Sequence, residues 1–432
     1  MRLLRGLAVL PLLLCHPAWA CAAPLHHDLA VTLDPDNASL EVTDTITLPA
    51  GSHSLDFSLH PGLQPELLPG TAQLTRLPAP ADAGSGPDTG PAHYRVTLPH
   101  GHNSFGLRYR GRIRHALQQR GEEYARSFQE TRGMIAPEGV FLAGSSYWYP
   151  HVENHLLTFD LAVYLPADWE GMTQGQRLAP PTDTDGTVEH WHSPAPQEEI
   201  YLIAGPFTEY TSRENGVQAM ALLRGPDPAL AQKYLDATHR YIALYNDLIG
   251  PYPFGKFAMV ENFWETGYGM PSFTLLGPKV IRLPFILHSS YPHEILHNWW
   301  GNGVYIDYRS GNWAEGLTSY LADHLIKEQQ GRGADYRRTT LQKYADYVGR
   351  QEDFPLTAFR SRHSARTEAV GYGKTLMLFH MLRRELGDAA FIRGLQSLYG
   401  QYRFRLADYD ALQRVFSDVA QRPLDAFFTQ WV

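Results

Sequence analysis

A His-Glu-x-x-His run, His293-Glu294-Ile295-Leu296-His297, constrains this chain more than any other feature. Positions i and i+4 project from one face of a helix about one turn apart, so the run reads as a helix that aims two imidazoles at one point. Ser289 or Ser290 can cap that helix, Pro292 fits its first turn, and Gly301 ends it. Imidazoles at this spacing can share one tetrahedral zinc ion, with Glu294 beside them as general base. A zinc needs a third protein ligand. A second helix opening at Asn312-Trp313-Ala314-Glu315-Gly316 puts Glu315 in its first turn, with Leu317, Tyr320, Leu321 and Leu325 as a packing face. Three protein ligands with an open fourth position form the catalytic arrangement rather than the closed structural one. One Zn2+ per chain is therefore expected on His293, His297 and Glu315.

Around this motif the 432 residues divide in two. From about 25 to 210, short alternating runs such as Leu40 to Leu48 and Thr158 to Tyr164 recur between Gly, Pro, Asn and Asp punctuation, the pattern of an antiparallel sandwich. The stretches Pro78 to Ala92 and Ala179 to Gly186 are surface loops by composition. After Pro206 the character changes. Asp227-Pro228 caps and starts a helix, and helical patterns follow around 290–300, 313–329, 336–348, 373–386, 388–398, 409–420 and 423–431, with a β interruption near 256–282. The expected fold class is α+β multidomain, with an N-terminal antiparallel β-sandwich domain over 23–210 and a mainly helical domain over 211–432.

Composition removes other classes. A net charge of -8 and the lack of any Lys/Arg-rich stripe argue against nucleic acid as partner. The N-terminus reads as a signal peptide over 1–22: Arg2 and Arg5 form the charged region, Leu7 to Leu14 the apolar region, and Ala18-Trp19-Ala20 the cleavage pattern. An exported chain, periplasmic or extracellular, is expected, without a transmembrane segment because no later apolar run is long enough. The two cysteines are Cys15 and Cys21. Cys15 lies inside the signal, so no intramolecular disulfide remains, and Cys21 directly after Ala20 leaves a lipid anchor open. No G-x-S-x-G elbow, P-loop or dinucleotide fingerprint competes for an active site.

The segments His293 to Asn302 (HEILHNWWGN) and Asn312 to Gly316 (NWAEG) resemble the zinc signature of the M1 family of gluzincin metallopeptidases, aminopeptidase N-like. Pro251 to Lys256 (PYPFGK), Gly371 to Leu376 (GYGKTL) with Phe379 to Leu382, the closing Asp425 to Val432, and in the β half Ser146 to Pro150 and Tyr201 to Tyr210 resemble further parts of that family. The resemblance implies a thermolysin-like catalytic domain, a peptide substrate, and hydrolysis by water that the zinc acidifies and Glu294 deprotonates. It also implies that Tyr372 donates to the oxyanion, and that Gly269 and Met270 lie in the substrate-binding strand.

Three departures accompany it. Residues 298–314 separate His297 from Glu315, one fewer than the family's usual spacing. The chain stops at Val432, which reads as a short form without the family's C-terminal helical domain. Most consequential, Tyr268-Gly269-Met270-Pro271-Ser272 stands where the family's aminopeptidases carry Gly-x-Met-Glu-Asn, so Pro271 replaces the glutamate that holds the substrate's α-amine. A buried ammonium without a carboxylate is costly. Either another acid substitutes, with Glu261 and Glu265 as candidates, or a free N-terminus is not required. Arg360, Arg362 and Arg366 could meet a substrate carboxylate, and Trp264, Trp299, Trp300 and Trp313 flank the motif. The sequence thus points to a zinc metallopeptidase of aminopeptidase type, with a non-catalytic zinc-bound scaffold on a peptidase fold as the alternative.

Overall fold

The computed structural model describes residues 23–78, 90–119, 129–179, 188–349 and 352–432. The expected signal over 1–22 and Cys21 lie outside the described residues, as do most of the two loops expected at 78–92 and 179–186.

The N-terminal half is sheet-rich. Alternation along Leu25–Asp34 and Ser39–Thr47 buries every second residue, as one-sided sheets demand. A seven-stranded sheet runs Gln176–Leu178, Val188–Gln197, Leu157–Tyr164, Leu25–Asp34, Ser39–Thr47, Ser104–Arg112, Leu63–Leu67. Its pairings are antiparallel except one: Leu25–Asp34 runs parallel to Leu157–Tyr164. A four-stranded sheet, Gly133–Ala136, Gly139–Leu142, Leu202–Gly205 and Glu170–Met172, lies in the same core.

The chain then enters a five-stranded sheet ordered Thr208–Glu214, Val217–Leu223, Lys256–Glu261, Phe273–Leu276, Gly267–Met270. Because successive side chains point to opposite faces, this sheet serves two cores. Ala219, Ala221, Leu223, Phe257 and Met259 face the helical core, while Met220, Leu222, Ala258, Val260, Phe273 and Leu275 face the N-terminal core. The helix Pro228–Leu248 covers its helical side, with the Asp227 carboxylate accepting from the Leu230 N–H as cap.

Two helical segments depart from simple α-helix. The segment that opens at Ala314–Ser319 passes through a π turn at Tyr320–His324 before Leu325–Gln329. The segment Ala365–Glu368 passes through a π turn at Ala369–Lys374 before Thr375–Leu386. The two segments approach closely at Gly316, where an added Cβ would come 2.2 Å from the Thr375 Cβ.

Candidate metal centre

The short helix Ser290–Leu296 carries His293 and Glu294, and His297 closes its C-terminus. The expected serine cap is not made. Ser289 stands at the N-cap without a capping bond, and its hydroxyl donates to the Phe285 carbonyl instead. Asn312 behaves as its sequence suggests: Oδ1 accepts from the Ala314 and Glu315 N–H groups and starts the helix that bears Glu315.

His293, His297 and Glu315 converge, each offering one ligand atom within 4.8 Å of the others. Glu315 Oε2 lies 3.5 Å from His293 Nε2 and 3.4 Å from His297 Nε2. Ligands on a tetrahedral zinc with bonds of about 2.0–2.1 Å sit about 3.3 Å apart, so the cradle fits that ion. The outer ring nitrogens are fixed as a zinc site requires. His293 Nδ1 meets the Asp323 carboxylate at 2.8 Å, and His297 Nδ1 meets the Trp300 carbonyl at 3.0 Å. Both Nε2 atoms are thereby left to face the ion. Burial opposes charge on all three groups, but their mutual attraction outweighs it. Glu315 is held well below the usual carboxylate range by the two imidazoles, and His293 well above its usual value by Asp323 and Glu315.

The three side chains are only 12%, 15% and 22% exposed, and the opening leads into a cleft of about 1060 Å³. Glu294 lines it, its pKa raised by burial, which suits a general base. Gly269, on the edge strand Gly267–Met270, borders Glu294 so closely that an added Cβ would lie 2.3 Å from its Oε2. Tyr372, in the second π turn, stacks on the His293 ring at 6.4 Å between centroids with 13° between planes. Burial and the neighbouring Glu315 carboxylate push its hydroxyl well above its ordinary value, so it remains a donor.

Met270 also lines the cleft, whereas Glu265 and Glu261 do not. Glu265 accepts from the Lys279 N–H, and the buried Glu261 accepts from the Arg224 N–H and pairs with Arg282 at 2.7 Å. Both acids offered as replacements for the missing glutamate are thus occupied in loop and sheet packing. Among the three arginines Arg362 borders the cleft, 5.7 Å from the Tyr372 ring, while Arg360 donates to the Thr357, Phe359 and Arg309 carbonyls. Trp264, Trp299, Trp300 and Trp313 are buried in core packing. Three cleft residues have no local sequence signal: Asp323, Glu198 and Glu199.

Residues 288–431 match the family model described as Peptidase family M1 domain. Aminopeptidase M1-D of Oryza sativa subsp. japonica is 24% identical over 299 residues, 63% of this chain and 34% of that protein. Mitochondrial Aminopeptidase 2 of Saccharomyces cerevisiae is 23% identical over 269 residues, 57% of this chain and 28% of that protein. The chain thus spans about a third of the length of the curated relatives it matches. Among solved structures, a mutant of the M1 zinc metallopeptidase from Deinococcus radiodurans bound to a Tyr-Ser-Ala substrate has the same fold, with a TM-score of 0.68 at 21% identity over 95% of this chain and 94% of that one.

Proposed function

We propose that this chain, which carries a peptidase family M1 domain over residues 288–431, is a zinc-dependent metallopeptidase of aminopeptidase type. The observation that carries the reading is the 3.4–3.5 Å convergence of His293, His297 and Glu315 beside Glu294 and Tyr372 in one cleft. This complete set argues against an inert scaffold. The bound tripeptide of the Deinococcus enzyme favours peptides as the substrate class.

A zinc ion in the cradle supplies Lewis acidity, acidifying water and polarising a carbonyl. The chain's own groups do the rest. The edge strand Gly267–Met270 offers unpaired backbone groups along which an extended peptide can lie. Glu294, buried and next to Gly269, takes a proton from water at its carboxylate and returns it to the departing amine nitrogen. The Tyr372 hydroxyl donates to the carbonyl oxygen of the scissile bond as charge builds there. Asp323 holds His293 in the tautomer that faces the ion.

Glu294→Gln should lower kcat by about 10³-fold or more while zinc per chain, measured by elemental analysis, stays at one equivalent. Full activity in that variant would show the assignment of the base to be wrong. We further infer, from the signal read at 1–22 and from Cys21, that the mature chain works outside the cytoplasm, lipid-anchored or free. N-terminal sequencing and mass measurement of the exported protein test this.

A further inference from the structure

The β half contributes its own wall to the cleft, at Gly144 and at the segment Glu198 to Tyr201. That segment is held with unusual thoroughness. The Ile200 N–H donates to the Tyr149 hydroxyl at 3.2 Å, and the Trp148 indole donates to the Ile200 carbonyl at 3.1 Å. The Gln174 amide donates to the Glu199 carbonyl and accepts from the Tyr201 N–H. Trp148, Tyr149 and Gln174 are fully buried, so this backbone is anchored to the core.

The fixed segment presents two adjacent carboxylates. Glu199 is immobilised at both oxygens, by the Gly144 N–H and the Tyr201 hydroxyl, each at 2.5 Å. Glu198 differs. Among the described residues no cation or hydrogen-bond donor neutralises it, and it stands exposed at the cleft. Desolvation by the cleft walls and the charge of Glu199 push its pKa up to about 7. Both acids line the same cleft as Tyr308 and the metal cradle of His293, His297 and Glu315. Tyr201 in turn packs edge-to-face on Phe273, 6.1 Å away, the residue paired with Met270 across the hairpin that borders Glu294. A rigid carboxylate next to one without a partner, beside a peptide-binding strand, is a site whose charge is unsatisfied until a compact cation with several donors arrives. A primary ammonium, with three N–H donors on one charge, has that chemistry.

We propose that Glu198 and Glu199 hold the positively charged α-amino group of the substrate, in place of the carboxylate that Pro271 removes from the recognition strand, so that this chain selects peptides with a free N-terminus. The proposal rests on the peptidase reading for the identity of its ligand. Its test does not use turnover, so the two can fail separately. The zinc-loaded protein and its Glu198→Gln/Glu199→Gln double variant are titrated calorimetrically with leucinol and with N-acetyl-leucinol, which offer no C-terminal amide bond to hydrolyse, and zinc per chain is measured in each. The expected result is that the wild type binds the free amine at least about 10-fold more tightly than the acetylated form. In the double variant, with zinc retained, free-amine affinity should fall by about 10- to 100-fold and the discrimination approach one. If the double variant does not fold, Glu198→Gln alone gives the same comparison with a smaller change, since that side chain makes no hydrogen bond among the described residues. Four results would overturn the proposal. They are a wild type indifferent to acetylation, a preference that survives in the variants, loss of both ligands together with zinc, and a second equivalent of zinc bound by the wild type and lost from the double variant.

Discussion

The wall of the cleft that bears His293, His297 and Glu315 and the wall that bears Glu198 and Glu199 both gather charge, and they dispose of it in opposite ways. On the metal wall opposite charges face each other at 3.4–3.5 Å, and the Asp323 carboxylate and the Trp300 carbonyl complete the imidazoles from behind. That wall is nearly self-sufficient, as a permanent ion site must be if its ligands are to keep one geometry. On the β wall two like charges stand side by side, and one of them has no partner among the described residues. Such a group stays without a counter-charge until a ligand supplies one. Satisfied charge thus marks where the protein holds its own machinery, and unsatisfied charge marks where it waits for substrate.

Variants can break this contrast. Tyr372→Phe removes a donor used only as charge develops on the substrate, so kcat should fall by about 10²- to 10³-fold with little change in zinc content or melting temperature. A rise in KM with kcat unchanged would reassign Tyr372 to ground-state binding. Asp323→Asn attacks the self-sufficiency of the metal wall from behind. Zinc affinity, read by competition with a chromogenic chelator, should weaken by about 10- to 100-fold. An unchanged affinity would mean that the imidazole is oriented by packing alone.

The smallest effect is the one that sharpens the β wall. The folded pKa of Glu198 lies near 7, above its ordinary 4.5, so between those values the native state binds more protons than the unfolded chain. Its contribution to stability is therefore lost as pH rises through that window. Glu198→Gln should leave the melting temperature at pH 4.5 almost unchanged and raise it by about a degree at pH 8. A variant less stable than wild type at pH 8 would show that the carboxylate is satisfied after all.

The metal wall was largely legible in the sequence because its information is local. His293 and His297 are related by one helical turn, and Glu315 opens the next helix but one after a short connection. Asp323 was not legible, for a reason that lies in the π turn. Eight residues beyond Glu315, an uninterrupted α-helix would put it about 80° off the glutamate's face. The extra residue absorbed at Tyr320–His324 returns it to within about 20°, and that insertion leaves no periodic trace. Glu198 and Glu199 were illegible for another reason. They follow the strand Val188–Gln197, and only the pairing of Leu142 with Leu202 brings Gly144 and its neighbours against them. Glu261 and Glu265 looked better placed because they are near the recognition strand in sequence. Proximity along the chain is a poor guide once a hairpin has turned their carboxylates toward Arg282 and Lys279.

The sheet whose strands Val217–Leu223, Lys256–Glu261 and Phe273–Leu276 give alternate side chains to two cores has a consequence for how the protein comes apart. A linker joins bodies that can melt one after the other, but a shared sheet cannot lose one of its faces and keep the other intact. Heat or denaturant should therefore meet a single cooperative transition, and the cleft, whose walls belong to both cores, should vanish in one step rather than loosen by hinge-like swinging of one half against the other.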